Sequence, residues 1–143
     1  MKKPSLYLTW ALQGLAALIM AQSLFFKFSA APESLYIFEK VGLGDAGRIG
    51  TGVAEGIASA LLLFPATAWL GAVLGVGLMG GALMSHLTLL GIEVQGDGGY
   101  LFFLALVVLL SCLGVLWVRR GQIPFLGARL GKLTPDVGKV SRT

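Results

Sequence analysis

Three ionisable side chains interrupt the long apolar stretches of this sequence, and they are the residues best suited to chemistry. They are a lysine, a glutamate and a histidine: Lys27, Glu55 and His86. A carboxylate within an apolar span costs a few kcal/mol, so it marks either a functional pocket or a specific contact between helices. Glutamate and histidine can both take up and release protons, and a lysine can pair with the glutamate and reduce the burial cost of both charges.

Each of these residues also has a structural interpretation. Glu55 could be protonated, or paired with Arg48, and only tie helices together. His86 could make a single hydrogen bond between helices, and Lys27 could anchor the first span at the membrane interface. These alternatives remain open at the level of the sequence.

Two further residues belong to the candidate pocket. Ser59 lies four residues after Glu55 and therefore shares its helical face. Asp97 lies in the segment Gly96–Gly99, which has the composition of a turn followed by a helix cap, but which also brings a carboxylate over the same cluster.

The sequence lacks the residues that other kinds of chemistry require. The single cysteine, Cys112, cannot form an internal disulfide or a redox pair, and it lies in an apolar run. One histidine is a poor basis for a metal site, and we expect no metal. No nucleotide-binding loop and no nucleophile with its base is visible, so catalytic residues and any cofactor are unknown. The net charge of +4 does not indicate nucleic acid, because the basic residues lie beside apolar segments.

The composition predicts which elements position these residues. Hydrophobic residues make up 56% of the chain and charged residues 13%, whereas a soluble domain has about 25% charged residues. We therefore expect an all-α protein, a four-helix transmembrane bundle in a lipid bilayer, over residues 1–120. The predicted spans are about 6–26, 49–64, 67–91 and 99–118, with a tight turn at Pro65 between the second and third.

Charge and turn residues predict the orientation. Basic residues at both ends of the chain favour cytoplasmic N- and C-termini and a basic cytoplasmic tail over residues 121–143. Pro32 followed by Glu33 predicts the start of a short interfacial helix in the first outer loop, and Gly42 predicts its end. With this topology Lys27, Glu55 and His86 all lie towards the outer side.

The sequence resembles the DoxX family of small four-helix bacterial membrane proteins over about residues 5–120. The resemblance is carried by short pieces in a fixed order. They are Phe25-Phe26-Lys27-Phe28, Val41-Gly42-Leu43, Gly52-Val53-Ala54-Glu55 with Leu61-Leu62-Leu63, Leu70-Gly71-Ala72, Met84-Ser85-His86 and Asp97-Gly98-Gly99. It implies a location in the bacterial inner membrane. It also implies an association with oxidoreductase systems, because related proteins are subunits of a thiosulfate:quinone oxidoreductase. The family's usual basic residue, acid and histidine map onto Lys27, Glu55 and His86.

The function expected from these observations is that of an accessory membrane subunit of an oxidoreductase or quinone-linked system. Its outer pocket takes a small polar ligand or a quinone head group, and oxidoreductase subunits or a second copy of the chain are candidate partners. A non-catalytic scaffold and a carrier of small solutes or lipids are the alternatives. Whether the chain is itself an enzyme is open.

Overall fold

The computed structural model describes residues 3–124, and every regular element within that range is helical, which confirms the all-α prediction. The predicted basic tail lies outside the described residues from residue 125 onwards. The five α-helices are α1 (Lys3–Phe28), α2 (Pro32–Val41), α3 (Gly44–Leu62), α4 (Ala68–Ser85) and α5 (Tyr100–Val118). A π-helical turn, His86–Leu90, continues α4, and a 3₁₀ turn, Arg120–Gln122, follows α5.

Within residues 3–124, three helical segments are long and apolar enough to cross a membrane: Lys3–Phe28, Ala68–Leu90 and Tyr100–Val118. Helix α3 has a comparable length of 19 residues. Its charged residues Asp45, Arg48 and Glu55 make it more polar than these three. The three apolar segments support a membrane protein, and α3 does not count among them.

Four of the helices form a ring in which neighbours along the ring pack side by side. Helix α1 packs against α3 and α5, and α4 packs against the same two helices. Helix α2 packs mainly on α3. The buried core between them consists largely of small and aliphatic side chains, among them Ala16, Met20, Ala58, Leu62, Ala72 and Val108.

The helix ends follow the turn residues of the sequence. Pro32 opens α2, and Gly42 ends it with a φ of +84°, a left-handed conformation that glycine adopts without strain. A short helix is thus present where the first outer loop was predicted to contain one. The chain also reverses between Leu62 and Ala68, around Pro65.

Two predicted boundaries differ from the observed helices. Helix α3 begins at Gly44 rather than near residue 49, because Asp45 in the first turn is favourable at the positive end of the helix dipole and does not stop the helix. The segment predicted over 67–91 is α-helical only to Ser85 and then widens into the π turn, which Gly91 ends at a φ of +79°. The predicted span limits followed apolarity, which does not mark these backbone changes.

The bundle has two different ends, which we name by their connections. The turn end holds the α3–α4 turn (residues 63–67), and the α2 end holds α2. At the turn end Gln13 donates to the Leu62 carbonyl at 2.6 Å and accepts from Arg119 Nε at 2.8 Å. Arg119 also donates to the Pro65 carbonyl at 3.2 Å. These buried bonds tie α1, α3 and the end of α5 together.

Close packing near the turn end depends on Gly71 of α4. A Cβ at this position would lie 2.8 Å from both the Ala58 carbonyl oxygen and the Leu62 amide nitrogen of α3. Both atoms belong to the backbone, so they cannot move aside as the end of a flexible side chain can. The close approach of α3 and α4 therefore requires glycine, as in other helix pairs joined through small residues.

We predict that Gly71→Ala lowers the stability of the protein in detergent by about 1–3 kcal/mol, the usual cost of overpacking a core. Gly80→Ala is the matched control, since a Cβ at Gly80 meets nothing within 4 Å. The measurement is thermal unfolding of both variants followed by circular dichroism. Equal melting temperatures for the two variants would contradict the close α3–α4 packing.

Candidate functional site

A cavity of about 700 Å³ lies at the α2 end of the bundle. All five α-helices contribute to its lining, together with the π turn and the loop before α5. Most of the lining is apolar, for example Met20, Phe38, Met79, Leu104 and Val108. The polar side chains are few and lie towards the α2 end. Such a combination of apolar walls and a few polar groups is typical of ligand sites.

The centre of the polar group is an ion pair between α1 and α3. Lys27 Nζ lies 2.9 Å from Glu55 Oε2, and both side chains are largely buried. Ser23 Oγ donates to the same carboxylate oxygen at 2.7 Å, and Lys27 Nζ donates to Ser23 Oγ at 3.3 Å. The three side chains thus form a closed triangle, which we call the Lys27–Glu55–Ser23 triad. It satisfies the charges that burial would otherwise penalise.

The triad forms because α1 and α3 approach closely at this depth. A Cβ at Gly52 would lie 3.1 Å from the Phe28 ring and 3.6 Å from Lys27 Cβ. One turn further along α3, Gly56 faces Leu24. Two glycines therefore bring α3 within reach of Lys27, and Glu55 lies on the same stretch of helix.

Arg48 does not pair with Glu55, as one interpretation of the sequence allowed. Its guanidinium donates to the Lys27 backbone carbonyl and to Asp45 Oδ1, the latter at 3.2 Å. Arg48 is buried, and its Nε has no hydrogen-bond partner among the described residues. Arg48 therefore ties the start of α3 to the end of α1, while the carboxylate of Glu55 is left to Lys27.

His86 is buried at the first position of the π turn and lines the same cavity. Its Nδ1 lies 2.8 Å from the Gly91 carbonyl oxygen, and its ring packs edge-to-face on Phe102. A carbonyl oxygen can only accept, so Nδ1 carries the proton. In the neutral ring Nε2 is then an acceptor. π turns are frequent at functional sites, and this one holds the imidazole in a fixed orientation.

Asp97 caps the start of α5. Its carboxylate accepts hydrogen bonds from the backbone N–H groups of Val94, Gly99 and Leu101 at 2.8–3.1 Å. Burial by itself raises the pKa of Asp97, but the three N–H donors outweigh it, so the pKa lies below the ordinary value of 3.8. Asp97 borders the cavity, yet both carboxylate oxygens are already engaged with the backbone.

The structure brings four of the five candidate residues, Lys27, Glu55, His86 and Asp97, to the cavity. Among residues 3–124 no hydrogen bond joins Glu55 to His86, so the two share the cavity without direct contact. Ser59 does not line it: its hydroxyl donates to the Glu55 backbone carbonyl at 2.8 Å, on the side towards the turn end.

Among the lining residues that the predicted site did not include, two stand close to the ion pair in sequence and could have been found. Thr51 lies four residues before Glu55, and Ser23 lies four residues before Lys27, so each shares a helical face with a named residue. The cavity lies towards the beginning of α3. The neighbour before Glu55 therefore lines it, and the neighbour after Glu55 does not.

The arrangement can bind and orient a ligand. It offers N–H donors at Lys27, carboxylate oxygens at Glu55 and the Nε2 acceptor of His86, all beside an apolar volume. Glu55 and His86 are also groups that can exchange a proton with a bound hydroxyl or carbonyl group.

Comparison of the chain with protein-family models, with curated proteins and with solved structures gives no match.

We predict that Asp97→Asn lowers stability at neutral pH by about 1 kcal/mol, since the amide keeps the oxygen that accepts at Oδ1 but loses the charge and the bond to Leu101. A carboxyl whose native pKa is lowered stabilises the fold above its ordinary pKa, here 3.8, and loses that effect as the pH falls through the native pKa. The difference between wild type and variant should therefore shrink below about pH 4.

Urea unfolding of both proteins in detergent measures this difference. The pH range is from about 3 to about 7, because it begins near the ordinary pKa of a carboxyl group. Asp45→Asn serves as the control, because the Asp45 side chain is 81% exposed and its contact with Arg48 is a surface pair of little energy. A difference for Asp97→Asn that stays constant with pH would contradict the capping role.

Proposed function

We propose that this chain is a multi-pass protein of the bacterial inner membrane that binds a ligand head group in the α2-end cavity. In this role it serves an oxidoreductase or quinone-linked system as an accessory subunit. The observation that carries the proposal is the buried Lys27–Glu55–Ser23 triad beside an apolar cavity. The resemblance to the DoxX family favours the same membrane and the same kind of partner.

In the proposed topology α3 is a fourth span. Its charges are compensated within the bundle: Glu55 pairs with Lys27 of α1, and Arg48 bonds to Asp45 and to the Lys27 carbonyl. Paired charges facing a bundle interior are the form in which ionisable residues are tolerated in membranes. The ring of four helices also needs α3 between α1 and α4.

A scaffold is the second candidate, and the same triad favours it. All three members are hydrogen-bonded to one another, as expected of groups that only hold α1 and α3 together. The apolar lining of the cavity favours the third candidate, a carrier of small solutes or lipids. The experiments must therefore separate binding from stability.

The topology proposal predicts that both termini are cytoplasmic, because the basic residues concentrate beside them. A reporter fused after Thr143 that is active only in the periplasm should give background activity. The same reporter inserted after Ala31, in the α1–α2 connection, should be strongly active. The opposite pattern would overturn the orientation.

The site proposal predicts that Glu55→Gln and His86→Ala each weaken binding of decylubiquinone to the purified protein by at least about tenfold, equivalent to 1.4 kcal/mol. The double variant should be no weaker than the poorer single variant, because the two residues act on one ligand. Ser59→Ala is the matched control, since Ser59 lies outside the cavity lining. Equilibrium binding in detergent and thermal unfolding are measured on the same samples.

A variant in which both charges of the Lys27–Glu55 pair are removed distinguishes the binding-site proposal from the scaffold. Glu55→Gln leaves Lys27 buried without its carboxylate, which lowers stability in either case. Lys27→Gln combined with Glu55→Gln removes both charges and should recover most of that stability. If the residues form a site, the combined variant still fails to bind. Full decylubiquinone binding by Glu55→Gln and by His86→Ala would contradict the binding-site proposal and favour the scaffold.

A further inference from the structure

Two glycines of α4 mark a side opening of the cavity. Gly77 and Gly81 both belong to its lining, and both are exposed on the surface of the protein. A Cβ at either position would meet no heavy atom within 4 Å. The cavity is therefore not closed by side chains along this face of α4.

The depth of the opening places it against lipid. Gly77 lies nine residues after Ala68, the first residue of α4, which corresponds to about 14 Å along the helix axis. The hydrocarbon core of a bilayer is about 30 Å thick, so Gly77 is near its middle. An exposed position at mid-depth of a membrane-spanning helix faces acyl chains, and the cavity opens towards them.

The cavity is graded from polar to apolar in the direction of the bilayer centre. Lys27 lies one residue before the end of α1 and His86 directly follows α4, both at the α2 end, whereas Met79 lies seven residues before His86 and Val108 lies eight residues after Tyr100, about two helical turns further towards the middle of the bundle. A molecule that matches this lining has its head group at the triad and its apolar part near the centre of the bilayer. That is the shape of an amphiphile lying in one leaflet.

The charges of the lining exclude an anionic head group. The lining contains one lysine against three carboxylates, Glu33, Glu55 and Asp97. Lys27 is already paired with Glu55 at 2.9 Å, so among residues 3–124 the lining offers a phosphate no unpaired lysine or arginine. An ammonium group carries three N–H donors, of which two point to Glu55 and Ser23, and the third can reach a carbonyl or hydroxyl oxygen.

We propose that the cavity takes an uncharged, lipid-soluble amphiphile that enters from the bilayer between the helices, past Gly77 and Gly81. Its hydrogen-bonding head group lies against Lys27, Glu55 and His86. The inference rests on the proposed function and names the class of ligand and its route of entry.

The probe is a diacylglycerol that carries a photoactivatable diazirine in one acyl chain, reconstituted with the protein in phosphatidylcholine vesicles. Illumination followed by peptide mass spectrometry should place the label on the cavity wall, at Met79 or Leu104. Phosphatidylglycerol with the same diazirine, at the same mole fraction, should label these positions at least about fivefold less, because Lys27, the lysine of the described lining, is already paired with Glu55. Equal or stronger labelling by phosphatidylglycerol would overturn the uncharged class.

The route is tested with Gly81→Leu and Gly77→Leu, which put a bulky side chain at the opening. When the diacylglycerol is added to preformed vesicles and samples are illuminated at successive times, each variant should slow the appearance of label on the cavity wall at least about fivefold. Gly80→Leu is the matched control, because Gly80 has the same open surroundings but does not line the cavity. An unchanged rate of labelling in both opening variants, or an equal slowing in Gly80→Leu, would overturn lateral entry.

Failure of this inference is distinguishable from failure of the proposed function. If decylubiquinone still binds and requires Glu55, while diacylglycerol leaves no label in the wild-type cavity, the proposed function stands, and the extension of the ligand class from quinones to uncharged lipids in general is overturned. If the wild type neither binds decylubiquinone nor is labelled by diacylglycerol, both the proposed function and the inferred ligand class are wrong.

Discussion

A carboxylate that lies among apolar helices must find a cation within reach, because an unpaired charge there costs several kcal/mol. Glu55 meets this constraint through Lys27 at 2.9 Å, and much of the α2 end is arranged around that contact. Lys27 can reach only if α1 and α3 approach closely, which Gly52 and Gly56 permit. Arg48 then bonds the Lys27 carbonyl and fixes the end of α1 against the start of α3.

The two ends of the bundle solve the problem of buried polar groups differently. At the turn end, Gln13 and Arg119 bond to each other and to the backbone carbonyls of Leu62 and Pro65, and small residues such as Gly71 close the space between helices. At the α2 end, the polar groups lie on the wall of a cavity of about 700 Å³. The turn end is therefore closely packed, whereas the α2 end contains a cavity with polar atoms on its wall.

The sequence predicts the helices well because their causes are local. The apolar composition predicts the all-α class, and Pro32, Gly42 and Pro65 predict a short helix and a reversal at the places where they occur. Counting depth along antiparallel spans also predicts that Lys27, Glu55 and His86 lie at one end. The structure places all three on one cavity.

What the sequence does not reveal depends on contacts between distant residues. The bond from Arg119 to Gln13 joins residues 106 apart, and no local pattern announces it. Ser59 and Thr51 are equally good neighbours of Glu55 by helical spacing, and only the position of the cavity decides between them. The cavity itself arises from how helix faces meet, which a single sequence does not specify.

The relation between the triad and helix packing bears on its role. Helices α1 and α3 already contact each other through Gly52 against Phe28 and Gly56 against Leu24, so their association does not require charges. A buried ion pair that only joins helices contributes little, since apolar residues of similar volume often serve as well or better. The triad instead puts a donor and an acceptor on the wall of an apolar cavity, where a head group can exchange hydrogen bonds with them without separating α1 from α3. Removing both charges together should therefore abolish ligand binding while most of the stability of the bundle remains, which is expected of a binding site and not of a purely structural contact.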